Sequence, residues 1–136
     1  LRGHVDCPWN VKFADPTANT IEVWYNAQHA FAVALTAPDG TTYGPFQAPV
    51  YAQPLSEPMS GATIGTFDHA LQGNGALQAL VSLRPTEDQP PPGFAPAPAG
   101  EWTLTITNTG AAAGTFHAWI RRDDLGPLGA RVPEGV

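Results

Sequence analysis

The residues able to carry chemistry are few. The chain holds three serines, Ser56, Ser60 and Ser82, four histidines, His4, His29, His69 and His117, and one cysteine, Cys7. A serine hydrolase needs Ser, His and Asp within mutual hydrogen-bond reach, beside an oxyanion hole. None of these serines stands in a nucleophile-presenting context. Pro58-Met59-Ser60-Gly61 is the nearest likeness, and no helical pattern follows it. The chain is therefore expected to be non-catalytic. Cys7 falls within the apolar alternation of its segment, with no neighbouring base or cation to activate it, and reads as a small buried hydrophobe. A single cysteine precludes an internal disulfide but leaves the compartment open.

Metal and ligand chemistry have more candidates. The histidines lack the close spacing of a zinc site, and adjacent Asp68 and His69 would point to opposite faces of one strand. His117, two residues from Trp119, is expected to satisfy an internal hydrogen bond. Calcium takes its oxygens from loops, and the candidate ligands are Asp15 with Asn19, Asp39, Asp68 with Asn74, and Asp123 with Asp124. No regular Asp-x-Asp-x-Asp spacing occurs, and turn chemistry alone explains Asp15, Asn19 and Asp39. No cofactor is expected, with calcium as the alternative. Trp24 and Trp119 oppose the parity of their strands' apolar residues. With His117 and Tyr25 they are candidates for a ligand platform on which a sugar could stack; the competing reading is that they cover a second sheet face.

The elements that must position these residues are short strands. Fifteen Pro and fourteen Gly among 136 residues exclude coiled coils, helical bundles and doubly wound folds, each of which needs long segments free of breakers. Disorder is excluded by a 43% apolar composition with four Trp. The length suits one domain. A formal net charge of −6 leaves no cationic face for nucleic acid, the more so because Arg121 and Arg122 run straight into Asp123 and Asp124. No apolar run is long enough for a membrane helix. No signal peptide is read at Leu1, and the chain reads as a piece of a longer protein.

Val5, Cys7, Trp9, Val11 and Phe13 alternate with polar residues, so they form a strand with one buried face. Pro8 within it predicts an edge position or a bulge. Further strands are expected around Ile21–Tyr25, Phe31–Leu35, Thr41–Phe46, Ala62–Asp68, Leu77–Leu83, Trp102–Ile106 and Phe116–Ile120, separated by turn clusters such as Ala37-Pro38-Asp39-Gly40. Ala27–Ala37 also tolerates helix, but the turn that closes it favours strand. The Pro-rich stretch 47–61 is expected to be a long loop, and 85–99, with six prolines in fifteen positions, an extended internal connection. Seven or eight antiparallel strands with little or no helix predict an all-β sandwich of jelly-roll type over residues 1–124. Residues 125–136 read as a tail or linker.

Three stretches resemble a non-catalytic β-sandwich module of bacterial subtilisin-like serine proteases, the peptidase S8 family. Asp15-Pro16-Thr17-Ala18-Asn19-Thr20-Ile21-Glu22-Val23-Trp24-Tyr25 is similar to that module's PTxNxxEIWY strand. Leu35-Thr36-Ala37-Pro38-Asp39-Gly40 resembles its LxxPxG hairpin. The most specific is Pro98-Ala99-Gly100-Glu101-Trp102-Thr103-Leu104, followed by Gly114-Thr115-Phe116-His117-Ala118-Trp119-Ile120-Arg121-Arg122-Asp123-Asp124, with Arg121 where the family has Glu. In relatives the module is inserted in the protease domain or appended to it. The resemblance implies an accessory role without catalysis. The expected partner is the parent's catalytic domain, which the module would stabilise or whose substrate access it would shape. It also implies a secreted or cell-surface location and a monomer that binds neither nucleic acid nor membrane. A carbohydrate-binding or other ligand-binding sandwich is the alternative. The loops 47–61 and 85–99 are the expected contact surface.

Overall fold

Alternating apolar residues dictate strands whose inner faces must be covered, and the computed structural model shows two sheets doing this for each other. It describes residues 4–12, 18–86, 89–110, 114–122 and 130–131. The strands are β1 (His4–Val11), β2 (Asn19–Asn26), β3 (Phe31–Thr36), β4 (Thr42–Gln47), β5 (Val50–Ser56), β6 (Thr63–Leu71), β7 (Ala76–Leu83), β8 (Gly100–Asn108), β9 (Phe116–Arg122) and the two-residue β10 (Ala130–Arg131). No helix occurs among the described residues, so none is long and apolar enough to cross a membrane. Asp15, Asp123 and Asp124 lie outside the described residues.

One sheet runs β1-β8-β3-β4 and the other β10-β9-β2-β7-β6-β5. Among the described residues every strand pairs antiparallel, and the isolated bridge between Thr63 and Phe94 is parallel. β1 pairs β8 in one sheet and β2 pairs β7 in the other, nesting one pair within the next as jelly-roll winding does. Inside that wrap β3–β4 and β5–β6 are local hairpins.

The core lies between the sheets. Trp9 and Trp102 are cross-strand partners on β1 and β8, and both are buried. The Trp102 indole N–H, which burial would otherwise leave unsatisfied, donates to the Pro98 carbonyl at 2.9 Å. Ile21, Val23 and Tyr25 of β2 face the same core, with Phe67 of β6, Val81 of β7, Leu104 of β8 and Phe116 of β9. Burying each such side chain is worth about 1.5–3 kcal/mol. Pro8 is tolerated because β1 is an edge strand, paired only with β8. Cys7 packs against the core, half-buried, and burial with nearby Asp6 pushes its thiol pKa up, away from reactivity.

The long loop expected at 47–61 is not one. Seven of its fifteen residues form β5, the outermost strand of the larger sheet. An edge strand leaves one row of backbone groups unpaired, so Pro54 can sit in it without costing a ladder bond. β5 carries an irregularity between Val50 and Gln53, where Ala52 adopts φ +48°. Asp68 of β6 holds that irregularity in place, its Oδ1 accepting the Ala52 amide at 2.7 Å. The described residues of the Pro-rich segment 85–99 belong to none of the strands. They bridge back to the sheet at Phe94, opposite Thr63, and bury Ala97. Of the segment read as tail or linker, Ala130–Arg131 is described, and it pairs as β10 with β9.

Candidate functional site

β2 runs through the middle of the larger sheet and carries polar or aromatic chemistry on both faces. On the inner face Tyr25 reaches across to β6, where its hydroxyl lies 2.6 Å from His69 Nε2. His69 Nδ1 lies 3.2 Å from the Phe46 carbonyl of β4, in the opposite sheet. A carbonyl oxygen only accepts, so Nδ1 carries the proton and Nε2 accepts from the tyrosine. His69 has no exposed surface, and burial lowers its pKa against the smaller opposing effect of the Phe46 carbonyl. Burial likewise pushes the Tyr25 phenol up to about 12. The pair is a neutral clamp between the sheets. Adjacent Asp68 faces outward, as alternation requires.

The outer face of β2 is different. Glu22 is 7% exposed although, among the described residues, no second layer of strands covers it. Its Oε1 accepts the Trp24 indole N–H at 3.1 Å, and its Oε2 accepts the Gln78 side-chain amide at 3.3 Å. Cross-strand register sets Trp24 opposite His117 and Glu22 opposite Trp119, both on β9. Of the four platform candidates read from sequence, Trp24, Trp119 and His117 thus share the outer face, while Tyr25 is buried on the inner one. Trp24 and Trp119 are half-buried, and His117 is exposed on the surface rather than within the interior.

Beside Trp24 opens a cavity of about 350 Å³, lined by Trp24, Tyr25, Asn26, His29, Ala76, Thr115 and His117. Three chain reversals build it: those after β2, before β7 and before β9. His29 stacks on Phe31 at 6.0 Å between ring centroids with 9° between planes. Gly114 lies under the same imidazole, so closely that a Cβ there would meet the ring at 2.8 Å. Sequence reasoning missed Glu22, Asn26, His29 and Thr115. Their signal was register and turn position, which only pairing reveals.

The described calcium candidates are dispersed, and three of them hold turns or bulges. Asp39 Oδ1 accepts the Thr41 amide, and Asn74 Oδ1 accepts the Ala76 amide. The Asp39 carboxyl is held below its usual pKa by that Thr41 bond. Asp68 serves β5, and Asn19 is buried in β2. Among the described residues no group of three or more His, Cys, Asp or Glu is placed to hold a metal. Ser60 donates to Glu57 within the turn before β6, while Ser56 lies on β5 and Ser82 on β7.

No protein-family model matches the sequence, and no curated protein matches it significantly. Among solved structures the chain is similar to the Clostridium perfringens CspB protease, with a TM-score of 0.63 and 12% identity. The likeness covers 88% of this chain and 23% of that one, so the chain spans about a quarter of the protease's length. At this identity the shared property is the fold: an all-β sandwich related to part of a protease chain.

Proposed function

We propose that the chain is a non-catalytic accessory domain of a subtilisin-like serine protease of bacterial, secreted or cell-surface origin. It stabilises the catalytic domain or shapes access to the substrate groove. The observation that carries the reading is the sandwich's likeness, over most of its own length, to a minor share of a protease chain. The motifs at 15–25, 35–40, 98–104 and 114–124 support it independently, and the partner is the parent's catalytic domain.

The contact surface proposed for that domain is the β5 edge with the turn that follows it and the bridge at Phe94. Tyr51 is 73% exposed, Met59 94% and Phe94 42%, more than solvation favours for side chains of that size. The Phe94 ring is also backed by the Arg84 guanidinium, 4.9 Å from its centroid.

The test has two arms. The chain alone, given casein and fluorogenic peptides, hydrolyses neither; hydrolysis abolished by Ser56→Ala, Ser60→Ala or Ser82→Ala overturns the reading. In the full-length protein, Tyr51→Asp with Met59→Asp lowers the temperature at which peptidase activity is lost, while the isolated chain melts unchanged. An unchanged inactivation temperature removes this surface as the contact.

A further inference from the structure

We propose that the cavity beside Trp24 is a binding site for a neutral saccharide, taken up as a pyranose ring stacked on the indole. The inference does not rest on the accessory-domain reading.

The argument begins with what fixes the aromatic wall. An exposed tryptophan on a sheet samples rotamers and presents no single plane. Trp24 is instead tied by its N–H to the nearly buried Glu22 carboxylate, itself tied to Gln78 on the neighbouring strand. Glu22 is therefore a positioning residue that holds the indole in one orientation before a ligand arrives, which lowers the entropic cost of binding. His29, another lining residue, is held by packing: its ring stacks on Phe31, and a Cβ at Gly114 would meet it at 2.8 Å.

The lining then selects the ligand. It contains no Asp, Glu, Lys or Arg, and its polar groups are the Asn26 amide, the Thr115 hydroxyl and the imidazoles of His29 and His117. Asn26 Oδ1 already accepts the Gln28 amide at 2.8 Å, which turns the Asn26 NH2 into the group that donates outward. A ligand matching one aromatic face and a rim of donors and acceptors free of carboxylates, ammonium and guanidinium groups has an apolar face and a hydroxylated edge. A sugar ring has both. The volume of about 350 Å³ is at the small end of ligand sites, about 300–1,000 Å³, and suits one ring or two.

The probes are methyl glucoside, methyl galactoside, methyl mannoside and N-acetylglucosamine, titrated into the 136-residue chain and followed by tryptophan fluorescence and amide NMR shifts. At least one is expected to bind with a millimolar Kd, shifting Asn26, His29 and Thr115. Trp24→Ala weakens it about tenfold or more. Ala76→Arg, at the rim and away from the core, blocks the cavity with Trp24 in place, and so decides the matter if the first variant folds poorly. Glu22→Gln weakens binding less than Trp24→Ala, because an amide still accepts the indole N–H. Absence of binding by all four sugars overturns the proposal. So does binding that survives both Trp24→Ala and Ala76→Arg, or a preference for sialic acid or sulfated sugars over the neutral ones.

Discussion

Tyr25 and Trp24 are neighbours on β2, and the two do opposite work. The tyrosine side chain points into the sandwich, where its hydroxyl meets an imidazole with no exposed surface, and that imidazole meets a carbonyl of the other sheet. The tryptophan points away from it, where its N–H meets a carboxylate on a face that, among the described residues, no other sheet covers. Inside, a polar group must be paired because water cannot reach it. Outside, pairing is optional, and a side chain held still there is held for what it presents. The same two-residue period thus separates groups that keep the sheets together from groups that can meet a ligand.

The sharpest break of that contrast is on the inside. Phe67→Ala removes a fully buried ring that stacks on Phe46 across the sandwich, at 4.7 Å between centroids. It is expected to cost about 3–5 kcal/mol in chemical denaturation. Tyr25→Phe keeps the ring and deletes the donor, leaving His69 Nε2 buried and unsatisfied, for about 1–3 kcal/mol. Trp24→Phe makes the corresponding deletion on the outer face. Water can replace part of what is lost there, and the cost is expected at about 1 kcal/mol or less. Equal losses from Tyr25→Phe and Trp24→Phe would dissolve the distinction between the faces.

Acid separates the faces again. Burial lowers the folded-state pKa of His69 below its unfolded value, about 6.5. The neutral form therefore contributes stability that is fully present above about pH 6.5. It is lost as pH falls toward the folded pKa, because the unfolded chain binds a proton that the folded one refuses. The slope from this one group is at most ~1.4 kcal/mol per pH unit. Melting temperatures below about pH 6.5 are expected to fall more steeply for the unaltered chain than for His69→Gln.

Much of this was legible before pairing was known. Period-two alternation together with turn signals located eight of the strands, and the proline in β1 announced an edge position or a bulge, of which the edge is found. Alternation also separated Asp68 from His69 and set Trp24 and Trp119 apart from their strands' apolar residues. Two Pro-rich segments looked alike, and one of them, 47–61, carries strand β5 through its middle. Proline composition does not say whether a missing N–H faces a neighbour or open solvent, and that is settled only by which strand ends the sheet. Local signals likewise found the turn residues Asp39 and Asn74 but not the cavity. Asn26 and His29 share the turn after β2, Thr115 precedes β9, and they meet only through the register of β2 with β9.

The central claim is that this sandwich is a passive companion within a serine peptidase. A fluorophosphonate probe, which esterifies an activated serine, tests it most directly when applied to the full-length protein and mapped by peptide mass spectrometry. The account predicts a single labelled serine outside residues 1–136. Label on Ser56, Ser60 or Ser82, or a full-length protein with no labelled serine at all, would contradict it.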